Sequence, residues 1–166
     1  MDRLSLLVKA KETAEYFVDK KFKYSQNVAN SWAGAKKKEV SNCASFVCYC
    51  LQQLGIFKAG QMFYCNKSGN IVWKGTGTKT AMLKHYKLIT VNKLPRDYKS
   101  KLKPGDICLY RLHTNIFAGI NESNKMVWWD AGKASTNTKK AGGTYKKIHR
   151  IINSNQKILY VLRWKG

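Results

Sequence analysis

The chain has 166 residues, with 31 Lys and Arg against 9 Asp and Glu, for a net charge of +22. At 44% hydrophobic and 12% aromatic it is not a disordered composition, and a chain this long hides roughly 70% of its unfolded surface, enough for a core without staples. One domain spanning 1–166 is expected; no apolar run reaches the ~18 residues of a membrane-spanning helix.

Residues 3–20, RLSLLVKAKETAEYFVDK, place Leu4, Leu7, Val8, Ala14, Phe17 and Val18 at helical spacing and predict an amphipathic helix. Residues 21–40 are polar and irregular and close on a Lys run. In SNCASFVCYCLQQLG, residues 41–55, Phe46, Val47, Cys50, Leu51 and Leu54 repeat as one buried helical face. Ser41 or Asn42 suits the N-cap and Gly55 the C-terminal cap, so a helix over about 43–54 follows. Residues 59–79 carry turns and a strand-like piece around Ile71–Trp73, and TKTAMLKHYKLI (78–89) reads as a short helix. KLKPGDICLY is a Pro-Gly turn leading into a strand. HTNIFAGI and KMVWWDAG read as strands joined by the turn Asn121–Asn124, and TYKKIHRI and QKILYVLRW complete the β run. Helices first and strands after predict an α+β fold with an antiparallel sheet.

Three of the five cysteines fall between 43 and 50, yet no CxxC pair is present. Positions 48 and 50 point about 200° apart on a helix, so they do not grip one ion, and structural zinc needs four convergent ligands. Calcium needs clustered carboxylates, which the sequence lacks. No metal and no cofactor are expected. An odd number of cysteines without a framework spacing points to free thiols. Cys50 lies on the apolar face, Cys108 lies inside a strand, and Cys48 lies off the apolar face as an incidental residue.

Cys43 differs because it opens a helix. Partial positive charge and unpaired N–H groups there lower a thiol pKa and can cradle an oxyanion. Such a nucleophile needs a base, usually a His oriented by a third polar group. His85, His113 and His149 all follow Cys43, and spacing alone does not choose among them.

SNCASFVCYCLQQLGI resembles the nucleophile helix of the NlpC-like cysteine peptidases, a papain-like group of peptidoglycan hydrolases. LKPGDICLY resembles their Pro-Gly-Asp strand, HTNIFAGI their base-bearing strand, and KMVWWDAG the strand that follows. Phage peptidoglycan amidases are the most similar group, down to the closing YVLRW. The resemblance implies a papain-like NlpC-type fold, Cys43 as nucleophile and His113 as general base. Circularly permuted relatives that act on lipids place His before Cys, an order that fails here. Three features depart from the pattern. Asn42 replaces the usual Asp before the nucleophile, and only Tyr110-Arg111-Leu112 lie between the Pro-Gly-Asp strand and His113. The usual orienting position, two residues after Met126, is Trp128, which donates but does not accept. Asp130, two residues on and on the same strand face, is the candidate for orienting His113; its alternative is a plain turn residue. Tyr24 matches the family's loop Tyr near the nucleophile, a candidate oxyanion donor. Trp128 and Trp129 point to opposite faces, one to the core and one toward a sugar or peptide groove; with Asn42 they are the candidate substrate contacts.

The expected function is wall lysis by a cysteine amidase or endopeptidase, endolysin-like and monomeric. It is made in the cytoplasm, since no apolar signal region is visible near the N-terminus. Lys supplies 26 of the 31 cations, which suits bulk attraction to peptidoglycan and anionic wall polymers rather than specific nucleic-acid readout. Two other readings stay open: a cysteine acyltransferase or deamidating toxin on the same scaffold, and a basic nucleic-acid-binding module.

Overall fold

The computed structural model describes residues 1–132, 149–151 and 156–166, the middle segment by its backbone alone. The elements run α1 (Arg3–Asp19), β1 (Lys23–Tyr24), α2 (Trp32–Lys38), β2 (Val40–Ser41), α3 (Cys43–Gln53), β3 (Met62–Cys65), β4 (Ile71–Lys74), α4 (Thr78–His85) and β5 (Tyr86–Lys93). They continue as α5 (Pro95–Tyr98), β6 (Ile107–Tyr110), β7 (His113–Ile120), β8 (Met126–Trp129), β9 (His149–Ile151) and β10 (Ile158–Trp164). The fold is α+β. Six strands form one sheet in the order β5-β10-β6-β7-β8-β9, and every pairing in it is antiparallel. A β3–β4 hairpin and a short parallel pair, β1 with β2, stand apart from it. Among the described residues no helix is long and apolar enough to cross a membrane.

The sheet is buried on both faces because alternate residues of its central strands serve two clusters. Ile107 and Leu109 of β6, with Ile116 and Leu162, join α1 and α3 in the larger core. Cys108 and Tyr110, with Phe117, Trp128 and Val161, form the second.

The α1 stripe is Leu6, Ala10, Thr13, Ala14 and Phe17, a run at i, i+4, i+7, i+8 and i+11. This corrects the sequence expectation: Leu4, Val8 and Val18 are exposed. The irregular stretch 21–40 holds the short helix α2, capped by the Ser31 hydroxyl, which accepts from the Gly34 N–H. The helix expected over 78–89 ends at His85; Leu88 and Ile89 pair with β10 as part of β5. In the strand expected over 144–151, the part before residue 149 lies outside the described residues.

α3 is buried from Phe46 to Leu51 on every side. Cys48 is therefore not incidental. Its thiol donates to the Phe63 carbonyl at 3.5 Å and accepts from the Phe63 N–H at 3.3 Å, tying α3 to β3. The Pro-Gly-Asp turn has an equally specific basis. Gly105 has φ +94, and a Cβ there would lie 2.6 Å from the Arg3 carbonyl oxygen. Asp106, fully buried, accepts from Arg163 Nε at 2.9 Å and Nη2 at 2.6 Å and from the Lys103 N–H at 2.8 Å. The turn that leads into β6 is thus locked to the last strand of the sheet.

Candidate active site

Three chain segments meet at the N-terminus of α3: the start of β7, the end of β3, and the β1–β2 pair. Asn42 is the α3 N-cap. Its side chain accepts from the Ser45 N–H at 2.9 Å, and Ser45 Oγ accepts from the Asn42 N–H at 2.8 Å, a reciprocal capping box. The Phe46 N–H closes on the Asn42 carbonyl at 3.0 Å. The N–H groups of Cys43 and Ala44 are left at the open helix end, where backbone dipoles favour negative charge.

Cys43 is 7% exposed at the floor of a cleft of about 530 Å³. Burial disfavours its thiolate, but a hydrogen bond from His113 and the charge of that ring outweigh it, helped by the Thr114 N–H, so the thiol pKa falls below its ordinary value. His113 shows the mirror image. Burial disfavours imidazolium; the hydrogen bond and charge of Asp130, with those of Cys43, prevail and raise the ring to about 10. The pair therefore favours thiolate and imidazolium over two neutral groups.

Asp130 is fully buried. Its Oδ2 accepts from His113 Nε2 at 2.7 Å and from Asn115 Nδ2 at 3.0 Å, and its Oδ1 accepts from the Gly132 N–H at 3.1 Å. With Nε2 engaged, Nδ1 is the ring nitrogen left for the thiol. Strand register explains the meeting. Ile116 pairs with Trp129, so the register continued by one residue sets Asp130 opposite Asn115, with His113 two residues further along the same face.

Tyr24 is placed by the β1–β2 pair, where it stands opposite Ser41, two residues before Cys43. Its phenol faces the Cys43 thiol closely enough for the two to perturb each other. Burial first, then the charge of Cys43, pushes the phenol well above its ordinary pKa, so it stays a donor. Asn42 and Tyr24 both line the cleft.

The tryptophans divide. Trp128 is fully buried in the second core between Phe117 and Tyr110, with ring centroids 5.1 and 6.4 Å away. It is not among the residues lining the cleft and is wholly covered, which corrects its candidacy as a substrate contact. Trp129 is half-buried against the larger core and is not among the residues lining the cleft. His85 stacks on Trp164 at a centroid distance of 5.6 Å, away from the site. The side chain of His149 lies outside the described residues.

Two neighbours escape a reading of the sequence. Asn115, which is fully buried, holds Asp130; its signal was its place two residues after His113 on one strand face. Leu112 is the other. Tyr110 pairs with His113, so Arg111 and Leu112 form a two-residue loop. Hairpins of that length favour positive φ at the first loop residue or at both. Here Leu112, the second, has φ +57 and Arg111 does not. The left-handed conformation costs a leucine about 1–2 kcal/mol. It sets the Leu112 carbonyl 3.9 Å from Cys43 Sγ, and the Leu112 N–H donates to the Cys65 carbonyl at 3.1 Å.

A depressed thiol, a raised imidazole fixed by a carboxylate, and N–H and O–H donors beside the sulfur can together perform nucleophilic acyl chemistry. Comparison with protein-family models, curated proteins and solved structures finds no match to this chain.

Proposed function

We propose that this chain is a cysteine amidase or endopeptidase that cleaves an amide bond of bacterial peptidoglycan, on a papain-like NlpC-type scaffold. The observation that carries the reading is the Cys43–His113–Asp130 relay at the N-terminus of α3, open to a cleft. The likeness of its four motif stretches to phage wall amidases supplies the substrate class.

In the first step the Cys43 thiolate attacks the amide carbonyl carbon, and the carbonyl π electrons move to oxygen. The Cys43 and Ala44 N–H groups and the Tyr24 hydroxyl stabilise that oxyanion. Collapse of the tetrahedral species breaks the C–N bond, and His113 Nδ1–H protonates the departing amine, leaving a thioester on Cys43. His113 then takes a proton from water, whose oxygen attacks the thioester. Collapse releases the carboxylic acid and returns the thiolate–imidazolium pair. Asp130 keeps the ring oriented through both steps and favours its protonated form between turnovers. The +22 net charge concentrates the enzyme on anionic wall polymers.

The test is loss of turbidity of purified cell walls with the wild-type chain and with Cys43→Ala, followed by mass spectrometry of the released fragments. Clearing by wild type alone, with new amine and carboxyl ends, is the expected result. Equal clearing by Cys43→Ala removes the mechanism, and salt-sensitive nucleic-acid binding with no wall cleavage favours a basic binding module instead.

A further inference from the structure

We propose that Leu112, Tyr64 and Lys74 form a substrate subsite at the mouth of the cleft, taking an apolar group and a carboxylate that flank the scissile amide. The inference rests on the amidase reading and adds to it which part of the substrate is recognised.

A residue held at positive φ is best served by Gly, and after it by Asn. Leu112 instead presents an apolar side chain that is 64% exposed, immediately before His113 and lining the cleft. Core packing does not account for a side chain that exposed, and the conformation disfavours it. A role toward a molecule that enters the cleft accounts for both.

A second apolar side chain reaches the same cleft from the β3–β4 hairpin: Tyr64, 39% exposed. The hairpin is fixed rather than free. The Cys65 carbonyl accepts from the Leu112 N–H at 3.1 Å, and the Gly69 carbonyl at the hairpin tip accepts from the Tyr160 hydroxyl at 3.0 Å. Gly75, just past the hairpin, lies so close to Gly60 that a Cβ would meet its carbonyl oxygen at 2.4 Å. Leu112 and Tyr64 are thus two preset apolar walls, which reduces the ordering cost of binding.

Lys74 ends β4 of that hairpin and lines the cleft as well. Among the described residues no Asp or Glu lines the cleft, and besides His113 it is the cationic residue there. A carboxylate on the substrate is the group that complements an ammonium in that position. The ligand class is therefore an amide with an apolar side chain and a free carboxylate close to the bond cut.

The experiment uses the full chain and two synthetic N-acetylmuramoyl peptides that differ only in carrying a carboxylate or a carboxamide next to the first peptide residue. Kinetics are measured for wild type, Leu112→Asn, Leu112→Gly, Leu112→Met and Lys74→Gln. Binding of both peptides is titrated by NMR on the same set made in a Cys43→Ala background. Leu112→Asn and Leu112→Gly, both tolerant of the left-handed backbone, are expected to raise KM about tenfold with kcat held and the melting temperature equal or higher. Leu112→Met is expected to keep the wild-type KM. Lys74→Gln should raise KM and weaken binding for the carboxylate peptide only. Unchanged KM and binding in Leu112→Asn, or a loss confined to kcat and melting temperature, overturns the apolar subsite. Equal effects of Lys74→Gln on both peptides overturn the carboxylate. A wild-type chain that cleaves and binds neither peptide and leaves walls intact overturns the amidase reading itself, and the subsite with it.

Discussion

His113 Nε2 donates to Asp130 Oδ2 at 2.7 Å, and that carboxylate is wholly buried and held by two further donors. Against burial, the bond and charge of Asp130, with those of Cys43, raise the imidazole to about 10, while His113 in turn lowers the Cys43 thiol. Activity that needs thiolate with imidazolium then begins above the lowered thiol pKa and persists until the ring loses its proton. The rate profile is a broad bell whose acid limb lies below the ordinary thiol value and whose alkaline limb lies far above the ordinary imidazole value. In Asp130→Asn the ring loses its main support, so the alkaline limb moves down by about 1–3 pH units and the rate at neutral pH falls. A pH profile of kcat/KM for the two proteins decides it. An unmoved alkaline limb in Asp130→Asn would show that Asp130 does not act through His113.

All five cysteines are free thiols, but they differ sharply in character. Burial pushes Cys48 and Cys50 up to about 12 and raises Cys65 and Cys108 as well, whereas Cys43 alone is lowered. Since the thiolate is what alkylates, limiting iodoacetamide at pH 7 is expected to place one label, on Cys43, in the folded chain. His113→Ala, which removes the cation, should slow that labelling roughly tenfold or more. Peptide mapping reads both results. Labelling of a second cysteine at a comparable rate would contradict the assignment.

Much of this site was legible because it depends on local rules. A Cys at the first turn of an apolar helix is visible in one line of sequence, and strand alternation moves the orienting role from Trp128 to Asp130 by two residues. What stayed hidden depends on long-range pairing. The role of Asn115 needs the β7–β8 register, and that of Leu112 needs the knowledge that Tyr110 pairs with His113. The same limit explains the misread α1 face, where Leu4 and Val8 compete with Leu6 and Ala10 for the stripe until α3 is placed. It also explains Leu88 and Ile89, which satisfy a helical pattern but pair with Val161 and Leu162 as a strand.

Tyr24 offers a direct probe of oxyanion stabilisation. Burial and the neighbouring Cys43 keep its hydroxyl protonated, while in the proposed mechanism two helix N–H groups share the same task. Loss of one donor typically costs about 10²–10³ in kcat. With the backbone donors remaining, Tyr24→Phe is expected near the lower end of that range, with KM within about twofold, because the interaction strengthens in the transition state. Steady-state kinetics on a soluble muropeptide separates the two parameters. A change in KM alone would recast Tyr24 as a binding residue.

The Asp106–Arg163 pair carries a prediction about stability rather than chemistry. Asp106 is fully buried, and Arg163 meets it with two nitrogens, at 2.9 and 2.6 Å, while Nη2 also donates to the Lys101 carbonyl at 2.8 Å. The guanidinium itself is raised, chiefly by its hydrogen bond to Asp106. Arg163→Met would strand a buried carboxylate with only the Lys103 N–H in support, and removing one partner of a buried pair costs about 3–5 kcal/mol. For a chain of this length that is a fall in melting temperature of roughly 10 °C. Removing the charge as well, in Asp106→Asn/Arg163→Met, should recover part of the loss, because no buried ion is left unpaired. Urea unfolding at constant m-value measures each variant. The double variant distinguishes electrostatic from packing loss: recovery identifies the stranded charge as the cause, and strictly additive losses identify the packing of the Arg163 stem instead.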